Sequence, residues 1–245
     1  GMSILIFTSI AASFPSQLWS IRLQKGLFAF FFILAVGVLI VAAVVFVEQA
    51  QRRIPVQYAK RMVGRQSYGG TSTYIPIKVN QAGVIPVIFA SSLLYIPSLI
   101  VNFTNSQAGW AVWISRNFVT GDHPIYVATY AALIIFFTYF YVAITFNPDE
   151  VADNMKKYGG FVPGIRAGRP TSEYLQYVLS RITAPGSIYL SLVAIIPIGA
   201  LILFGATQNF PFGGTAILIV VGVGLDTAKQ IESQLQQRSY EGFLR

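Results

Sequence analysis

Apolar runs without a charged residue alternate with polar stretches from one end of this chain to the other. A helical span needs about 20 such residues, since each adds about 1.5 Å and the hydrocarbon layer is about 30 Å thick. Residues 26–47 meet this most cleanly and are closed by Glu48. Residues 125–147 follow the same rule and are rich in aromatics, as in IIFFTYFYVAITF. Residues 182–225 carry no charge over 44 positions, too many for one helix, and GATQNFPFGGT divides them into spans near 186–204 and 212–225. Residues 2–14 open the series with no basic stretch before them, so they are not read as a signal peptide. Pro15 is expected to end that first helix, leaving 14–25 as a short connection with Trp19 at headgroup depth.

The span near 79–101 differs from the others. Gly83, Pro86 and Pro97 interrupt it, and Ser91 and Ser92 put hydroxyls at its middle. A buried proline removes a backbone donor and clashes one turn back, so this helix is expected to bend, with the serines bonding a carbonyl one turn earlier. Six spans result, and the fold class is an all-α polytopic helical membrane protein with a final helix extending to about Gln237.

Two polar inserts and a tail stand outside the spans. In 49–78, IPVQYA and STYIPIKV alternate and are rich in β-branched residues around GRQSYGG, which predicts a protruding β-hairpin. In 149–184, NPDE stops the preceding span and caps a short amphipathic helix, DEVADNMKKYG. A Gly- and Pro-rich turn then carries Arg166 between Gly164 and Gly168, expected to expose its guanidinium, before a second helical piece, SEYLQYVLSRI. The tail is 226–245. The outer connection between residues 101 and 124 carries Trp110 and Trp113, which suits the membrane interface.

Charge turns these spans into a topology. Of the 17 Lys and Arg, six fall in 49–80, five in 149–184 and three in 226–245, so these segments are expected in the cytoplasm, with both ends of the chain. The hydrophobic fraction of 54% against 11% charged residues suits a membrane protein rather than a soluble domain. Anionic lipid is the simplest partner for the basic segments.

The available chemistry is sparse. With no cysteine and a single histidine, His123, thiol nucleophiles and histidine-pair metal sites are excluded. None of the nine acidic residues lies inside an expected span, and neither does a Lys or Arg. Ion-coupled transporters and intramembrane proteases place ionisable groups near the midplane, so no enzyme activity, cofactor or metal is expected. Helix packing, a bendable span and two cytoplasmic inserts point to a conduit, with a secondary transporter of a small solute or a non-conducting membrane scaffold as alternatives.

RRIPVQYAKR, STYIPIKVNQAGVIPVIFASS, GGFVPGIRAGRPT, SRITAPGSIYL and FGGTAILIVVGVGLDT resemble, in this order, signatures of the SecY family, the central subunits of the bacterial Sec translocon. The resemblance covers essentially the whole chain but only the C-terminal part of the family, spans five to ten. It implies a bacterial cell-membrane channel that passes unfolded polypeptide across the membrane or sideways into lipid. The family's apolar pore ring would be Met2, Ile6, Ile88 and Ile219, with Met2 where Ile is usual. The helix bearing Asn80, Pro86, Ser91 and Ser92 would be one wall of a lateral gate. Arg52, Arg53, Lys60, Arg61, Arg65 and Arg166 would sit on the loops that dock the SecA ATPase and the ribosome. Gln66 and Ala167 stand where the family commonly has Arg and Pro. Further partners implied are SecE, SecG, a preprotein or signal peptide, and the N-terminal part of the same channel.

Overall fold

The computed structural model describes residues 2–58, 61–63, 66–68, 72–104, 109–119, 123–204 and 214–240. Helix α1 is Met2–Gln49, with one non-helical residue, Gly26, at φ 85 and ψ 178. Ile10, Ala11 and Phe14 border the same cavity as Val41. In a straight helix positions 10 and 41 would lie about 46 Å apart, so the two arms of α1 fold back on each other at Gly26. That backbone region is essentially reserved for glycine. Pro15 does not end the first arm, which continues through it to the reversal.

Strands β1 (Gln51–Tyr58), β2 (Arg61–Val63), β3 (Gln66–Tyr68) and β4 (Ser72–Lys78) form the expected protrusion. β1 pairs antiparallel with β4 from Gln51↔Lys78 to Gln57↔Ser72, and β2 pairs with β3. Ile54, Val56 and Ile77 are buried on one face of β1 and β4, while Arg53 and Tyr74 are exposed on the other. This is the period-two pattern of a half-covered sheet.

Helix α2 is Ile85–Thr104, followed by α3 (Gly109–Ile114) and a π-helical turn, Ser115–Val119. Helix α4 is Pro124–Thr145; His123 caps it, its Nδ1 accepting from the Ile125 N–H at 3.3 Å. Helix α5 is Pro148–Lys157, capped by Asn147, with Asp149 and Glu150 in its first turn and Lys156 and Lys157 in its last. These charges complement the helix dipole, the acidic pair as the sequence predicts. After the two-residue strand β5 (Gly160–Phe161) come α6 (Arg169–Phe204) and α7 (Gly214–Tyr240).

The helical piece at 172–182 and the residues of the span near 186–204 belong to one helix, since α6 is continuous across Pro185 and Gly186. The end of charge at Ile182 does not mark a change of backbone conformation. Most of GATQNFPFGGT lies outside the described residues. Among the described residues, Gly26–Gln49, Pro124–Lys157 and Arg169–Ile196 are long and apolar enough to cross a membrane, and Ile85–Val101 is a shorter apolar helix.

Two cores hold the elements. The first joins α1, α2, α4, α6 and α7 through residues such as Val44, Val87, Ile134, Leu190 and Leu218. The second joins the hairpin to the foot of the bundle through Ile54, Ile77, Val142, Met155, Leu175 and Val178. β5 also pairs with β1, at Gln57↔Phe161 and Tyr58↔Gly160. The two inserts therefore form one body.

Candidate functional site

A cavity of about 510 Å³ opens between the first turns of α2 and the middle of α7. Its wall combines the apolar Ile85, Ile88, Leu218 and Ile219 with the polar Glu48, Lys78, Asn80, Asp226 and Lys229. Along α2 the chain runs from the Asn80 turn toward Ile88, and along α7 from Leu218 toward Lys229. The cavity is therefore graded, charged at the end near the sheet and apolar at the other.

Helix α2 does not begin at Asn80 as expected. Residues 79–84 form a turn, and the helix starts at Ile85, so Pro86 sits in the first turn. A proline there costs nothing, because first-turn N–H groups lack intrahelical partners anyway. Pro97 is the proline inside this helix. Ser91 and Ser92 both donate to the Ile88 carbonyl, at 2.9 and 2.8 Å, matching the expected bond one turn back. Val87, Ala90 and Leu94 are buried at helical spacing, while Ile88, Phe89, Leu93, Tyr95 and Ile96 are exposed. α2 thus packs one stripe on the bundle and presents the opposite stripe outward.

Asn80 is buried in the turn. Its Nδ2 donates to Glu48 Oε1 at 2.6 Å and to the Gly83 carbonyl at 3.3 Å. The Val79 N–H donates to the Ala50 carbonyl, extending the hairpin ladder to the end of α1. Behind the turn stands Gly186 of α6, where an added Cβ would lie 2.4 Å from the Val79 carbonyl oxygen. Sequence reasoning missed both contacts. Their only signals are a lone polar pair at two span ends and a glycine within TAPGS.

Of the four expected pore-ring residues, Ile88 and Ile219 meet at one cavity despite their separation in sequence. Met2 and Ile6 lie in the first arm of α1, and their side chains fall outside the described residues. Among the docking residues, Arg52 and Arg53 are exposed on β1, and the Arg53 guanidinium lies over the Tyr74 ring at 4.8 Å. Lys60 and Arg65 lie outside the described residues, as does the side chain of Arg61. Arg166 is exposed between Gly164 at φ 83 and Gly168 at φ 106, and Thr171 Oγ1 ties its carbonyl down at 2.9 Å.

A family model described as SecY matches residues 1–228. The chain belongs to the SecY family. The protein translocase subunit SecY of Streptomyces griseus is 73% identical over 250 residues, which cover 100% of this chain and 57% of that relative. The SecY subunit of Mycobacterium bovis is 60% identical over 256 residues, again covering 57% of its length. The chain thus spans little more than half of these relatives. One similar solved structure concerns the SecY plug domain, described as stabilising the closed state of the translocation channel and maintaining a membrane seal. It has a TM-score of 0.62 at 17% identity, covering 95% of this chain and 59% of that one. A second, described as a protein conducting channel, has a TM-score of 0.58 at 18% identity, covering 93% and 56%. These two establish a shared fold, that of a multi-pass helical membrane protein.

Proposed function

We propose that this chain forms the C-terminal part of a protein-conducting channel that passes unfolded polypeptide across the membrane or laterally into it. The observation that carries this reading is the meeting of Ile88 and Ile219, from α2 and α7, at one graded cavity. Apolar side chains there give a compliant seal with no fixed charge to hold a passing chain. Met2 and Ile6 would complete their share of the ring. α2 serves as a gate wall, bending near Pro97 and at the serine-laden Ile88 carbonyl, with its exposed stripe turned to the N-terminal part of the same channel.

The joined inserts serve as the cytoplasmic docking body for the SecA ATPase and the ribosome. Arg52, Arg53 and Arg166 stand on its surface, and Lys60, Arg61 and Arg65 belong to the same insert sequence. Energy for transport comes from those partners. SecE and SecG are the expected neighbours in a bacterial cell membrane, with both ends of this chain and its anionic-lipid-binding charges on the cytoplasmic side.

The test is a chimera in which this chain replaces the matching part of the Streptomyces griseus SecY, reconstituted in proteoliposomes with SecE and SecG. ATP-driven, SecA-dependent protection of a preprotein inside the vesicles is the expected result. A chimera that inserts and assembles yet protects no preprotein overturns the proposal.

A further inference from the structure

The turn that precedes α2 is held from two sides. On one, the buried Asn80 amide donates to Glu48 at 2.6 Å, tying the turn to the end of α1. On the other, the Gly186 backbone lies so close that any side chain there would meet the Val79 carbonyl. Asn80 and Ile88 border the same cavity, separated by one turn of loop and one of helix, so whatever fixes Asn80 also fixes where Ile88 stands. We propose that Glu48 and Asn80, backed by Gly186, are positioning residues that form a latch holding the start of α2 against the ends of α1 and α6. This deepens the reading of α2 as a gate wall and rests on it.

The latch is only partly satisfied. Asn80 Oδ1 and Gln81 Oε1 are buried without a hydrogen-bond partner among the described residues. Unpaired buried acceptors offset part of what the Asn80–Glu48 bond contributes. A displaced turn would bring both acceptors to solvent, which favours release of the latch. The bond is also charge-assisted, which makes it sensitive to any change in charge at either partner. Lys78, Asp226 and Lys229 border the same cavity and complete its charged groups.

The experiment uses the chimera with every other cysteine removed and Ala82→Cys as a reporter. Ala82 is 2% exposed and directly follows the latch, so its thiol should react slowly with a neutral maleimide while the turn is held. Asn80→Asp sets a carboxylate against Glu48. At a pH where both are ionised, labelling should become about tenfold faster, the scale set by losing a hydrogen bond to a charged group. Adding Glu48→Gln lets the pair bond with donor and acceptor exchanged, and should return labelling to the starting rate. A rate unchanged by Asn80→Asp overturns the latch. So does an increase that Glu48→Gln fails to reverse, because general unfolding would not be rescued. Labelling is read without a preprotein. Loss of translocation in the reporter chimera before either substitution, with the labelling pattern intact, would contradict the channel reading and leave the latch standing.

Discussion

Two glycines show how a single missing side chain places an element. At Gly26 nothing lies within 4 Å of an added Cβ, so the demand is purely conformational. Gly26→Ala should cost about 1–3 kcal/mol through its backbone conformation alone, read as a lower melting temperature in detergent. An unchanged melting temperature would mean that the arms of α1 do not reverse there. At Gly186 the demand is steric, and the Val79 carbonyl must move to admit a methyl group. Gly186→Ala should therefore destabilise the protein, whereas Gly199→Ala in the same helix, with open space around it, should be neutral or stabilise by up to about 1 kcal/mol. Equal effects at the two positions would remove the close approach from the account. His123 makes a related point: the one imidazole, which composition alone leaves open to catalysis, caps a helix.

At the scale of elements, the end of a charge-free run did not mark the end of a helix. α1 runs through Pro15, α6 runs through Pro185, and α2 begins five residues after Asn80, because a proline is tolerated in a first turn or where neighbours take up the freed carbonyl. The hairpin and α5 were legible, since alternation, turn residues and caps are local signals. The pairing of β5 with β1 was not, because a two-residue strand carries no periodicity. That pairing and the shared second core make the inserts one cooperative unit. Leu175→Ala, at a fully buried position, should cost about 2–5 kcal/mol and lower amide protection in both Ile54–Val56 and α5. Loss confined to α5 would show that the inserts are energetically separate.

For the whole molecule, the exposed apolar stripe of α2 and the family relationship say the same thing about extent. The chain covers 57% of relatives such as the Streptomyces griseus protein, and the side of α2 that bears Leu93, Tyr95 and Ile96 is exposed. Vesicles holding only residues 1–245 are accordingly expected neither to seal nor to conduct, and preprotein protected by them with SecA and ATP would refute this. On the proposed reading, a ribosome docked through the exposed arginines should bind more weakly as salt rises. Replacing both Arg52 and Arg53 by Ala should lower the log–log salt slope by about two if each meets a phosphate. A slope that stays the same would move the docking surface elsewhere. The proposed link between this cavity and transport starts from motif resemblance, since isoleucine in a pore and isoleucine in a core look alike in one sequence.

The most direct measurement places a photoreactive residue at position 88 or 219 of the chimera and crosslinks a preprotein stalled in transit. Adducts should form at both positions and be absent at Leu192, an exposed site on α6 away from the cavity. Adducts missing at 88 and 219, or equally abundant at 192, would contradict the assignment of this cavity to the path of the polypeptide.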